Sequence, residues 1–146
     1  MTVPTAPHRS LDRPVLPKLP NQATVIFDGS CDFCTRSVRL LSWLDRRDRV
    51  AMVPFQKPGT PETHGLTVAD CERAAWTVTP DGQRYPGAGA INVALATALG
   101  SRAPWLLYRL PGIHWLQDRL YAMVARNRTR LPGDTPYCEQ HPEECR

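Results

Sequence analysis

The segment TVIFDGSCDFCTRSVRLL, residues 24–41, constrains the fold more than any other part of the chain. Residues 23–29 (ATVIFDG) form a nearly continuous apolar run, which is typical of a central strand that is buried on both faces. A Cys-x-x-Cys motif follows at once. From Cys34 onwards apolar residues recur with helical spacing, which indicates a helix that begins near Cys31. The segment therefore predicts a buried strand, a short turn and a helix with a cysteine pair at its start.

The residues up to position 100 alternate between strand and helix patterns. They predict a second strand at 49–56, a short helix at 67–73, a hairpin at 74–87 that reverses in a two-residue turn at Asp81-Gly82, and a helix at 88–100. A helical crossover between the first two strands requires that they run parallel. The resulting order, βαβαββα, predicts an α/β fold with a thioredoxin-like domain over residues 23–100.

Three further regions flank this domain. Residues 1–22 are rich in proline and predict a flexible arm, whereas residues 133–146 form an acidic tail that contains cysteines. Between them, residues 101–132 predict a helical extension that Pro111-Gly112 divides in two. Its second helix carries an apolar stripe that we expect to pack on the domain, formed by Ile113, Leu116, Leu120, Met123 and Val124.

Composition excludes several classes of protein. The 146 residues are 42% hydrophobic and 22% charged, and no run of 18 apolar residues predicts a membrane span. The basic ARNRTR stretch lacks interleaved aromatic residues, so we expect no nucleic-acid partner. The start of the chain has no apolar core of a secretory signal, and the five cysteines are odd in number. Both features favour a cytoplasmic protein without a structural disulfide framework.

The position of the two cysteines predicts redox chemistry. Residues three apart in a first helical turn have Cα atoms roughly 5–6 Å apart, which is within disulfide range. The helix N-terminus presents unpaired N–H groups and the positive end of the dipole, which would stabilise a thiolate at Cys31. We therefore expect Cys31 to attack a substrate disulfide. Cys34, which we expect to lie deeper and to be less exposed, would resolve the mixed disulfide.

The neighbouring residues modify this site. Gly29 and Ser30 shape the turn before the pair. The carboxylate of Asp32 opposes thiolate formation, and Phe33 offers an apolar contact to a partner. Asp28 has two possible roles: it could accept a proton from the deeper thiol, or it could bond to the backbone of its own turn.

The motif VIFDGSCDFC, followed by RSVRLLSWLDRRDRVAMVPFQ, resembles the DCC family of predicted thiol-disulfide oxidoreductases. That family is named for an aspartate and two cysteines, which align with Asp28, Cys31 and Cys34. The likeness continues through AINVALATALG and LYAMVARNRTRLPG to Cys138. The resemblance implies a thioredoxin-like fold and disulfide exchange without a bound cofactor. The partner would be a protein or a low-molecular-weight thiol or disulfide.

Two other classes of function use the same residues. Cys31 and Cys34 could join Cys138 and His141 as the four ligands of a zinc-stabilised structural or interaction module. Alternatively, the domain could be a redox-inert interaction module. Cys138 itself could be a third redox thiol, an incidental thiol, or the disulfide partner of Cys145.

Overall fold

The computed structural model describes residues 21–145, so the predicted arm at 1–22 lies almost entirely outside the described residues. A four-stranded sheet has the order β2-β1-β3-β4. Its strands are β1 (Ala23–Phe27), β2 (Val50–Pro54), β3 (Trp76–Val78) and β4 (Arg84–Pro86). The β1–β2 pair is parallel, whereas β3 runs antiparallel to both β1 and β4.

The helices follow the predicted order. In the domain they are α1 (Asp32–Leu44), α2 (Thr60–Thr63), α3 (Val68–Arg73) and α4 (Gly87–Leu99). The extension contains α5 (Ala103–Arg109) and α6 (Pro111–Arg126), and the last helix is α7 (Tyr137–Gln140). Single 3₁₀ turns cover Arg128–Arg130 and Pro142–Glu144. The prediction of an α/β, thioredoxin-like βαβαββα domain with a C-terminal helical appendage is confirmed. The additional short helix α2 lies in a stretch rich in proline and glycine.

Strand β1 lies at the centre of the core. Val25 packs with Val50 and with Ala94 and Ala98 of α4 on one face of the sheet. Ile26, the next residue, packs with Leu66 and Cys71, which precede β3 in the chain. Successive side chains of a strand point to opposite faces, so a strand that is apolar at every position is buried from both sides. Both layers hold β1 in place, and with it the turn that leads to the cysteine pair.

The hairpin differs from its prediction. Thr79 N–H donates to Gln83 O at 3.0 Å and Gly82 N–H donates to Thr79 O at 2.9 Å, so three residues, 80–82, form the loop. Gly82 has a φ of +88°, which is the left-handed conformation required at the end of such a loop. The prediction of a two-residue turn at Asp81-Gly82 was therefore wrong. The Asp-Gly pair belongs to the loop, but the register of the flanking strands makes this loop three residues long instead of two.

Helix α6 contacts the domain through polar groups and one tyrosine. Tyr121 Oη accepts a hydrogen bond from Ala75 N–H at 2.9 Å, and Gln117 Oε1 accepts one from Asn92 Nδ2 at 2.6 Å. The apolar stripe does not pack closely: no residue of α6 is buried, and Leu116 and Leu120 are each 47% exposed. Leu120 and Val124 share the face of Gln117 and Tyr121 and line a cavity against the domain, whereas Leu116 and Met123 are exposed and do not. The predicted stripe therefore faces the domain only in part. None of the helices within residues 21–145 is long and apolar enough to cross a membrane.

Candidate functional site

The turn between β1 and α1 brings the cysteine pair to a helix N-terminus. Cys31 is the N-cap residue of α1, with an extended backbone, and its Sγ accepts a hydrogen bond from Cys34 N–H at 3.1 Å. A cap residue normally satisfies one of the unpaired N–H groups of the first turn with a side-chain oxygen. Here a sulfur does so, and it lies where the helix dipole is positive.

The two cysteines of the motif differ in exposure, but in the opposite sense to the prediction. Cys31 is buried, with 8% of its surface exposed, whereas Cys34 is half-buried. The expectation that Cys34 would be the less exposed was wrong, because the C-terminal segment (residues 133–145) contacts the backbone on both sides of Cys31. It does so at Gly29 and at Asp32. Helical position alone could not reveal a covering segment so distant in sequence.

Burial raises the pKa of the Cys34 thiol to about 12, and its hydrogen bond with Cys31 and the negative charges of Cys31 and Asp28 act in the same direction. The guanidinium of Arg128 has the opposite effect on this pKa. Its Nη1 lies 3.9 Å from Cys34 Sγ. Cys34 is therefore a protonated thiol at neutral pH, with a cation beside it that stabilises its thiolate.

Asp28 is held by three donors. Its Oδ1 accepts hydrogen bonds from Ser30 N–H at 2.9 Å and from Gln56 Nε2 at 2.7 Å. Its Oδ2 forms an ion pair with Arg128 Nη2 at 3.1 Å, and only 14% of the Asp28 side chain is exposed. The bond to Ser30 is the turn contact considered from the sequence. The ion pair shows that the carboxylate also connects the turn to the C-terminal part of the chain.

Gln56 was not identified from the sequence. It follows β2, and its amide spans the turn: Oε1 accepts from Gly29 N–H at 2.9 Å while Nε2 donates to Asp28. Nε2 also lies within 3.4 Å of Ser30 Oγ. Because β2 runs parallel to β1, the residues after both strands meet at one edge of the sheet. A polar residue at the end of the strand predicted at 49–56 was the available signal.

Arg128 was also missed, although it belongs to the ARNR stretch of residues 125–128. Burial opposes its charge, but Asp28, Cys34 and Cys31 outweigh burial and raise the pKa of the guanidinium above its usual value. From the sequence, this basic stretch was considered as a nucleic-acid site and was set aside. One of these arginines is instead a partly buried ion-pair partner, with 27% of its side chain exposed.

The C-terminal segment crosses the N-terminal turn of α1. Asp134 N–H donates to Asp32 O at 3.1 Å, Tyr137 N–H to Thr35 Oγ1 at 3.0 Å and Cys138 N–H to Gly29 O at 2.9 Å. These three bonds hold the C-terminal segment against residues 29–35. Of the remaining predicted site residues, Ser30 and the Asp32 side chain are exposed, and Phe33 is half-buried.

The ligands of the zinc alternative are not brought together. Cys138 forms a disulfide with Cys145, with Cα atoms 5.6 Å apart, which leaves it no thiolate to offer a metal. In residues 21–145 the grouped metal-ligand side chains are His141, Glu143 and Glu144, without a cysteine. The expectation of no structural disulfide was wrong. The pairing of Cys138 with Cys145 was one of the alternatives left open by the sequence.

Gly133→Ala is expected to displace the C-terminal segment from α1. A Cβ at this position would overlap the carbonyl group of Asp32 and the amide nitrogen of Phe33, and helix backbone cannot move aside cheaply. We expect a loss of about 1–3 kcal/mol in the free energy of unfolding, typical of overpacking. Hydrogen exchange at the amides of Asp134 and Cys138 should accelerate. Gly112→Ala is the control, since a Cβ there meets no described heavy atom within 4 Å. Equal exchange in both variants would contradict this contact.

A model of the DCC1-like thiol-disulfide oxidoreductase family matches residues 25–134, which is most of the chain and includes the whole motif. The chain belongs to this family. No curated protein and no solved structure matches the chain at a significant level. Membership of the DCC1-like family supports a redox function in general terms. The roles of individual residues rest on the geometry described above.

Proposed function

We propose that this protein exchanges thiols and disulfides through Cys31 and Cys34, with Cys31 as the nucleophile and Cys34 as the resolving thiol. The observation that carries the proposal is the unequal environment of the two sulfurs. Cys31 Sγ accepts a backbone N–H at the helix start, whereas burial holds the pKa of Cys34 at about 12. The first arrangement favours a thiolate, and the second favours a thiol that reacts only after the mixed disulfide has formed.

The proposed reaction has two steps. The Cys31 thiolate attacks one sulfur of a substrate disulfide, whose S–S bond breaks and whose other half leaves as a thiolate that takes up a proton. Cys34 then loses its proton to solvent and attacks Cys31 Sγ. The Cys31–substrate S–S bond breaks, the second half of the substrate leaves as a thiolate that takes up a proton, and the Cys31–Cys34 disulfide forms. Two electrons have passed from the protein to the substrate. A protein or low-molecular-weight thiol restores the reduced pair, so the exchange needs no bound cofactor.

The residues around the pair have supporting roles in this proposal. Arg128 stabilises the Cys34 thiolate as it forms, since its Nη1 lies 3.9 Å from that sulfur. Asp28 and Gln56 hold the turn and orient Arg128. Gly29 allows close approach: a Cβ there would lie 2.6 Å from Cys138 Sγ and 2.8 Å from Pro54 Cβ. We place the activity in the cytoplasm, where the Cys31–Cys34 pair would be kept reduced; the Cys138–Cys145 disulfide would be an exception among proteins of that compartment.

A redox titration tests the proposal. Protein equilibrated with glutathione buffers, quenched with acid and analysed by mass spectrometry should interconvert between a Cys31–Cys34 dithiol and disulfide as a two-electron couple. Cys71, which is 3% exposed, should remain a thiol and serves as an internal control. A pair that stays reduced at every potential would refute the proposal. So would one zinc per chain that is lost in both Cys31→Ser and His141→Ala.

A further inference from the structure

An apolar groove lies beside the cysteine pair. Helices α1 and α6 stand apart above the sheet and leave between them a cavity of about 550 Å³. It follows α1 from Phe33 to Leu44, a distance of roughly 16 Å at 1.5 Å per helical residue. Its walls carry large apolar side chains from both helices, among them Leu40, Leu41, Leu120 and Val124.

The groove reaches from the surface to the sheet. Its lining includes Val25 of β1, Thr77 of β3 and Ala94 of α4, which are all buried residues of the domain. A flat protein surface could cover the mouth of such a groove but could not fill its depth. The volume lies within the range of roughly 300–1,000 Å³ that is usual for small-molecule sites.

The polar groups in the lining favour an uncharged occupant. Arg128 is paired with Asp28, Arg73 with Asp70, and Asn92 with Gln117. Their charges and hydrogen-bonding groups are already satisfied by the protein, and Glu72, the other charged residue of the lining, is exposed to solvent. An apolar molecule in the groove would therefore leave these polar groups with the partners they already have. The rest of the lining is mostly apolar, so an occupant would gain chiefly from the burial of apolar surface.

The redox site opens onto this groove. Cys34 and Asp28 are part of its lining and Cys31 is not, but Cys31 Sγ lies 3.1 Å from the amide nitrogen of Cys34. A molecule that lies along α1 therefore ends beside Cys34, from where its reactive group has to reach Cys31 at the adjoining N-cap of the helix. The groove is thus continuous with the site of exchange rather than a separate surface.

We propose that the groove binds the apolar part of a low-molecular-weight disulfide, whose sulfurs then lie at the cysteine pair. This inference rests on the proposed function and names its substrate class. The apolar substituent is buried between Leu41 and Leu120 while Cys31 attacks the attached sulfur. The electrons and protons balance as in the two steps described above.

Alkyl 2-pyridyl disulfides with ethyl, butyl and hexyl chains are suitable probes. Attack by Cys31 on the alkyl-bearing sulfur breaks the S–S bond and releases pyridine-2-thione, which is measured by its absorbance. Cys34 then displaces the alkyl thiol. The leaving group is the same in every probe, so differences in rate report the alkyl chain. We expect the second-order rate constant to rise about two- to fourfold per added methylene in the full-length protein.

Two residues of α6 provide a matched pair of variants. Leu120 lines the groove and Leu116 does not, yet both are 47% exposed. Leu120→Gln should reduce the gain from ethyl to hexyl at least threefold, whereas Leu116→Gln should preserve it. Equal gains in both variants, or no dependence on chain length in the unaltered protein, would overturn the inference. A gain that disappears as the protein concentration rises would assign the groove to a second copy of the chain and would also overturn it.

The hydroxyethyl 2-pyridyl disulfide separates this inference from the proposed function. If this short polar probe reacts much faster with the unaltered protein than with Cys31→Ser, the exchange chemistry stands. A missing chain-length effect then removes only the groove assignment. If Cys31→Ser reacts as fast as the unaltered protein with every probe, the proposed function fails, and the groove assignment fails with it.

Discussion

Cys34→Ser is expected to stop turnover and to accumulate a mixed disulfide between Cys31 and the substrate. Without a second thiol, the first step can occur but the adduct cannot be resolved. Cys31→Ser should instead give neither turnover nor adduct, because burial holds the pKa of the remaining Cys34 thiol at about 12. Intact mass spectrometry after brief exposure to an excess of substrate disulfide would show one adduct per chain in the first variant.

Cys71→Ser is the control for this experiment. Burial raises the pKa of Cys71 to about 11, and it lies in the core beside Ile26 and Leu66. We expect this variant to turn over normally and to form no lasting adduct. Adducts of equal yield in the Cys31→Ser and Cys34→Ser variants would contradict the assigned roles. Adducts confined to the Cys31→Ser variant would reverse these roles.

Arg128→Met is expected to slow resolution of the mixed disulfide. The guanidinium lowers the pKa of Cys34, so its removal should raise that pKa further. A rise of one unit reduces the thiolate fraction about tenfold. The more basic thiolate is intrinsically more reactive, so the rate should fall about threefold per unit. The alkylation rate of Cys34 at fixed pH, measured in a Cys31→Ser background, reports the change.

Asp28→Asn is the matched variant with the opposite sign. The charge of Asp28 raises the pKa of Cys34, so its removal should lower that pKa and accelerate alkylation. In the double variant the two effects should partly cancel. Slower alkylation in Asp28→Asn would contradict this electrostatic role and would favour Asp28 as the proton acceptor for Cys34.

Arg128→Met is also expected to lower the free energy of unfolding. Arg128→Met leaves Asp28 without its cation, and removing one partner of a fully buried pair costs about 3–5 kcal/mol. The Arg128–Asp28 pair is partly exposed, and Asp28 keeps two other donors. We therefore expect about 1–2 kcal/mol from this pair, measured by denaturant unfolding, after discounting for solvent screening.

Much of the fold could be predicted because its signals are local. The apolar run of β1 indicated a strand buried on both faces, and the helical crossover to β2 required a parallel pair. The helix predicted at 88–100 ends at Gly100, which has a φ of +68°. The hairpin register and the polar contacts through which α6 docks on the domain escaped prediction. Both depend on which of several possible contacts the assembled core selects.

The candidate site could be located from the amino-acid sequence alone, because a strand, a turn and a helix start carry Asp28, Cys31 and Cys34 within seven residues. Tertiary structure decided what surrounds them. Gln56 is 28 residues from Asp28 and Arg128 is 94 residues from Cys34. The C-terminal segment that contacts Gly29 comes from still further along the chain. Local backbone preferences fix the turn and the helix cap, whereas contacts between distant residues arise only after the sheet and the helices have packed.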